Sequence, residues 1–132
     1  MLTHLTIKNY ALIKHLELSP ASGLNAITGE TGAGKSILLG AIGLLLGNRA
    51  DTKSLWDEGE KCVTEGIFSV QDYGLEKLFA EENLDYDTQA VLRREIAPNG
   101  KSRAFINDTP VTLDVMRKIG SRLMDVHSQH ET

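Results

Sequence analysis

Two stretches near the start of the chain, LTHLTIKNYA and LIKHLELS, alternate apolar and polar residues with a period of two, as in Leu5/Ile7 and Leu16/Leu18. The pattern predicts two half-buried strands joined around Tyr10 and Ala11 and paired antiparallel. SPASG, Ser19 to Gly23, has turn composition, and Leu24 to Thr28 is a short apolar strand candidate. In KSILLGAIGLLLG apolar residues cover nearly every face, which predicts a helix buried on several sides and stopped by Gly47 and Asn48. The polar run NRADTKSLWDEGEK predicts a loop. Cys62 to Val70 then predicts a strand, and YGLEKLFAEENL a short helix with Leu75, Leu78 and Phe79 on one side. AVLRREIA, PNGK and SRAFIND form a hairpin pattern, with positive φ expected at Asn99 and Gly100. TLDVMRKIGSRLMDV is amphipathic, with Thr112 as N-cap and Leu113, Met116, Gly120 and Leu123 on one stripe. A strand-rich first half around one buried helix predicts an α/β or mixed α+β fold.

Composition narrows the function classes. The 132 residues suit one domain or a piece of a larger one, and 41% hydrophobic with 24% charged residues is globular composition. A formal net charge of -4 excludes a nucleic-acid-binding field over the whole surface, so any DNA contact is local. The single cysteine, Cys62, forms no internal disulfide and anchors no four-ligand zinc site, which fits a reducing, cytoplasmic setting. His127 and His130 lack the further ligands that zinc requires. The N-terminus lacks the apolar core of a signal peptide, and Ile37 to Gly47 is too short to span a bilayer, so no membrane partner is expected.

The chemistry is concentrated in GETGAGKS, Gly29 to Ser36. Gly29, Gly34, Lys35 and Ser36 satisfy G-x-x-x-x-G-K-[ST], with a further glycine at Gly32, between an apolar strand candidate and an apolar helix. Glycines let backbone N–H groups approach phosphate oxygens with no Cβ in the way, and a helix N-terminus adds its positive dipole end. Lys35 is placed to meet the β and γ phosphates, and Ser36 to offer a hydroxyl to Mg²⁺. The reading is a P-loop ATP site, with Gly29, Glu30, Thr31, Gly32, Ala33, Gly34, Lys35 and Ser36 as the binding loop. No run of four apolar residues ends in Asp, and no N-K-x-D or D-x-x-G element is present in the sense a small GTPase needs. The chain therefore reads as half of an ATP site.

The stretches LTIKNYALI, GLNAITGETGAGKSILLGAIGLLLGNRAD, LRREIAPNGKSRAFINDTPVTL and DVHSQHE together resemble the N-terminal head segment of the RecN family of bacterial DNA repair proteins. That family groups with the SMC proteins among ABC-type ATPases. The resemblance implies that residues 1–132 are the N-terminal lobe of such a head, an incomplete P-loop NTPase α/β lobe with a mixed sheet and antiparallel N-terminal strands, ending before a coiled coil. It implies ATP and Mg²⁺ as cofactors, with Lys35 and Gln129 as catalytic residues and Ser36 and Gln129 as Mg²⁺ ligands. The family's usual glycine before that glutamine is Ser128 here. The implied partners are the C-terminal half of the same head, a second head brought in by ATP, and DNA, in a cytoplasmic, nucleoid-associated protein acting on double-strand breaks. Arg49 matches an arginine that related heads place near nucleotide and DNA.

Arg93, Arg94, Lys101 and Arg103 put four cations on one predicted hairpin, either as local DNA phosphate contacts or as an ordinary solvated, edge-protecting hairpin. Two other functions remain open from the residues: a compact P-loop kinase with Arg93 and Arg94 clamping phosphates, and a non-catalytic nucleotide-binding module.

Overall fold

The computed structural model describes residues 2–19, 32–49, 57–70, 74–84 and 86–128, the side chains of 32–36 and 124–128 excepted. Its elements are β1 (Leu2–Tyr10), β2 (Ile13–Leu18), α1 (Gly32–Leu45), β3 (Cys62–Ser69), α2 (Glu76–Glu81), β4 (Gln89–Ile96), β5 (Ser102–Ile106), β6 (Thr109–Val111) and α3 (Leu113–Ser128). The strands form one sheet in the order β2-β1-β3-β4-β5-β6, antiparallel at every described pairing. The expected strand at Leu24 to Thr28 lies outside the described residues.

Strand periodicity decides which face is covered. Cys62, Thr64, Gly66 and Phe68 are buried in alternation along β3, and the register sets them opposite Ile96, Arg94, Leu92 and Ala90. Leu5 and Ile7 of β1 extend that buried face on one side, and Ala104 and Ile106 of β5 on the other. Helix α1 packs across β3 and β4, and α3 across β5 and against α1. Leu38, Ala41 and Leu45 meet Met116, Ile119 and Leu123 in the same core. Each such side chain contributes about 1.5–3 kcal/mol on full burial, so the helices are held chiefly by this face. The helix is not enclosed all round as its composition suggests, because Leu39 remains 56% exposed.

Turn chemistry sets the register. The β1–β2 loop is Ala11 and Leu12, with Ala11 at φ 51°. The β4–β5 turn departs from expectation, because only Gly100, at φ 91°, is left-handed. Gly100 N–H donates to Ala97 O at 2.9 Å and Ala97 N–H to Lys101 O at 2.8 Å. Pro98 takes the second turn position, where its fixed φ suits a right-handed turn, and Asn99 Oδ1 accepts from Lys101 N–H at 3.0 Å instead. SRAFIND is also not one strand: Asn107 and Asp108, at φ 51° and 65°, form a two-residue turn into β6. Asn107 Oδ1 accepts from Val91 N–H at 2.8 Å, which ties that turn to β4.

The end of the short α2 and the start of α3 have clear local causes. Asn83, at φ 57°, ends α2, with Leu84 N–H donating to Phe79 O at 2.8 Å and Asn83 N–H to Ala80 O at 3.1 Å. Phe79 and Leu84 are both buried, the apolar contact that accompanies this stop. Thr112 caps α3 as expected, its Oγ1 accepting from Val115 N–H at 3.2 Å. Where α3 crosses the end of α1 it presents Gly120, and a Cβ there would stand 2.8 Å from Leu45 O, a backbone atom that cannot turn away. Gly120→Val should therefore lower stability by about 2 kcal/mol through overpacking, measured as a fall in the urea midpoint at unchanged slope.

Candidate nucleotide-binding site

The described part of the phosphate-loop motif is helical backbone. Gly32, Ala33, Gly34, Lys35 and Ser36 are the first five residues of α1, so the glycine-lysine-serine end of the motif occupies the opening turn. The first four N–H groups of a helix have no partner within it, and the positive dipole end lies there. Gly29, Glu30 and Thr31 lie outside the described residues, as do Gln129 and His130. Ser128 is the last residue of α3, immediately before Gln129.

The opposite end of α1 shows what fixes the helix. Asn48 N–H donates to Gly43 O at 3.0 Å and Gly47 N–H to Leu44 O at 3.2 Å, with Gly47 left-handed at φ 84°. This is the stop expected from Gly47 and Asn48. Arg94 reaches the same end from β4, its Nη1 donating to Leu44 O at 2.9 Å and to Asn48 O at 2.8 Å, its Nε to Ser102 Oγ at 2.8 Å. From α3, Arg117 Nη2 donates to Gly47 O at 3.2 Å while its Nη1 donates to Asp114 at 3.2 Å. Cations at a helix C-terminus oppose the negative end of its dipole. Burial pulls the Arg94 pKa down from its ordinary value, Cys62 opposes that, and nearby Arg117 adds to it.

This geometry divides the cations expected to meet DNA. Arg94 is 1% exposed and offers nothing to a surface ligand, because adjacent residues of a strand point to opposite faces and Arg94 shares the inward row with Leu92 and Ile96. Arg93 is on the outer face among Glu65 at 3.8 Å, Glu95 at 3.2 Å and Asp108 at 3.0 Å, with its guanidinium 4.4 Å from the Phe105 ring centroid. Its charge is matched by acids, which corrects the picture of a four-cation patch. Lys101 and Arg103 are exposed, Arg103 opposite Glu95. Arg49 is exposed just past the end of α1, opposite to the end carrying the motif.

One polar residue that periodicity does not single out, Asn9, also shapes the region. Asn9, buried and left-handed at φ 57°, donates through Nδ2 to Asp57 O and Glu60 O, both at 3.0 Å, while its Oδ1 accepts from Asp57 N–H. One amide thus pins the segment that leads into β3. Lys8, Lys14, His15 and Lys61 line an open groove of about 570 Å³ beside it, with Glu60 and Val63. Cys62, on the inner face by Leu44 and Ile96, has its thiol pushed up to about 11 by burial, against smaller opposing pulls from the Thr64 hydroxyl and Arg94. No group of three or more His, Cys, Asp or Glu that could hold a metal occurs among the described residues.

The family model of the AAA domain matches residues 4–129. The chain belongs to the AAA-domain family. It is 41% identical over 131 residues to the DNA repair protein RecN of Vibrio cholerae, covering 98% of this chain and 24% of that relative. It is also 41% identical over 133 residues to RecN of Bacillus subtilis, covering 99% of this chain and 23% of that relative. The resemblance to the N-terminal segment of RecN proteins thus holds along the whole AAA-domain chain, which spans about a quarter of those relatives' length. A solved structure from work on ATP-driven dimerisation and DNA-stimulated activation of SMC ATPases superposes with a TM-score of 0.72 at 20% identity, over 93% of this chain and 79% of that one. The fold is that of the N-terminal part of an SMC-type head, a mixed α/β architecture with an antiparallel sheet. No described helix is long and apolar enough to cross a membrane.

The buried thiol has a pH signature. A folded-state pKa of about 11, above the thiol's ordinary 9.0, contributes stability that is intact below pH 9 and lost as the pH rises through 11. Tyr10, raised from 10.0 by burial and then by Cys62, acts in the same direction. Thermal unfolding should fall between pH 9 and 11, and Cys62→Ala should make that fall shallower than in the parent chain.

Proposed function

We infer that this chain is the ATP-binding N-terminal segment of a RecN-like ATPase head that serves DNA double-strand-break repair and recombination. The observation that carries the reading is the placement of Gly32–Ser36 as the opening turn of a helix buried against the sheet, at the end of G-x-x-x-x-G-K-S. Gly29 to Ser36 cradle the triphosphate, Lys35 neutralises its β and γ oxygens, and Ser36 holds Mg²⁺. Gln129, following directly on α3, completes the Mg²⁺ shell and responds to the γ-phosphate.

ATP binding then favours pairing of two heads, and hydrolysis reverses it. Hydrolysis takes its Walker-B carboxylate and signature residues from a C-terminal head half, since the sequence holds no apolar strand ending in Asp. Arg49, Lys101 and Arg103, all exposed, are the DNA phosphate contacts of this segment. The protein works in the cytoplasm on the nucleoid. RecN relatives that are DNA repair proteins and the SMC-type fold support this reading.

Steady-state ATP turnover tests it. The 132-residue chain should match its Lys35→Ala variant, and joining the rest of the head should give turnover that Lys35→Ala abolishes. Lys35-dependent turnover by the chain alone would mean a self-contained P-loop enzyme such as a kinase.

A further inference from the structure

Three carbonyls at the C-terminal end of α1 are held from two directions by guanidinium groups. Arg94 comes from the sheet to Leu44 O and Asn48 O, and Arg117 comes from α3 to Gly47 O. The two contacts differ in setting: Arg94 is 1% exposed and is steadied by Ser102 on β5, whereas the Arg117 side chain is half-exposed and is steadied by Asp114. No other charged residue is buried among those described.

A buried arginine is an uneconomical way to fill space, because an apolar side chain would pack on this inward row without desolvating a charge. What a guanidinium adds is geometry. Its plane holds Nη1 against Leu44 O and Asn48 O while Nε is fixed on Ser102 Oγ, two anchored nitrogens where a lysine has one.

That geometry matters because of where α1 carries its chemistry. At 1.5 Å per residue, a helix of 14 residues is about 21 Å long. A pivot of about 3° at its C-terminal end moves its first turn by roughly 1 Å. A misplacement of that size is enough to cost on the order of a hundredfold at a reacting centre.

We propose that Arg94 and Arg117 are positioning residues for nucleotide binding: from the far end of α1 they fix the pivot of the helix, and so where its first turn presents the phosphate loop. The inference rests on the ATP-binding reading above. Neither side chain touches the nucleotide.

The test is the dissociation constant for Mg²⁺·ATP of the chain, measured by calorimetry at a temperature where circular dichroism shows each variant folded. Arg94→Lys keeps the charge and loses the second anchored nitrogen, and Arg117→Met loses the exposed tether. Phe79→Leu is the stability control, a core change on α2.

Binding should weaken about tenfold in Arg94→Lys and about threefold in Arg117→Met, and stay within about twofold in Phe79→Leu, for a helix displaced by a fraction of an ångström. Hydrogen exchange should quicken in peptides from α1 of Arg94→Lys before it does in β1 and β3, which a uniform loss of stability would not produce. Both arginine variants binding as the parent does would overturn the proposal. If Arg94→Lys does not fold, unchanged binding by Arg117→Met has the same force. A parent chain that shows no Lys35-dependent binding sinks the ATP reading and this inference with it, whereas Lys35-dependent binding indifferent to both arginines sinks the inference alone.

Discussion

A helix that is apolar along most of its surface has to be buried along its flank and have its last carbonyls partnered. The fold meets this constraint by covering the flank and the C-terminus of α1 and placing the Gly32–Ser36 turn at the other end. Strands β3 and β4 cover one side of the helix and α3 another. The carbonyls that the helix leaves unpartnered at its C-terminus are taken up by the Gly47 stop, Arg94 and Arg117. Every other element can be placed by its relation to this arrangement.

The sheet is wide because the burial has to be wide. Antiparallel hairpins need only two-residue connections, so β1–β2 and β5–β6 extend the covering face with little chain. The outer face is left mixed, with Arg93 among Glu65, Glu95 and Asp108 over Phe105. Such a lattice of charges is worth little as stability, each exposed pair being on the order of a few tenths of a kcal/mol. It does keep the half-buried Val63, Ile67 and Val91 of that face interleaved with charge.

Much of this was legible before any coordinates. The period-two runs of β1 to β5, the Thr112 cap, the Gly47 stop and the start of a helix inside GETGAGKS all use local rules that neighbouring structure did not override. β6 was not legible, because three residues carry no periodicity and the Asn107–Asp108 turn was absorbed into the preceding strand. The paired arginines misled for a different reason. Composition sees Arg93 and Arg94 as one basic cluster, whereas strand parity separates them, and Arg94 shares its parity with Leu92 and Ile96. A charged residue on an apolar row was the available signal that it had an interior partner, although nothing local says that the partner is the end of a helix some 50 residues earlier in the chain. Arg117 and Asn9 were out of reach in the same way, since both act on backbone carbonyls distant in sequence.

The central claim is that nucleotide sits at the opening turn of α1. The most direct measurement is a ¹⁵N-labelled chain titrated with Mg²⁺·ATP, following backbone amide shifts. The account predicts that the largest changes cluster at Gly29 to Ser36 and are lost in Lys35→Ala. Changes centred instead on the groove of Lys8, Lys14 and Lys61, or no saturable change at all, would contradict it.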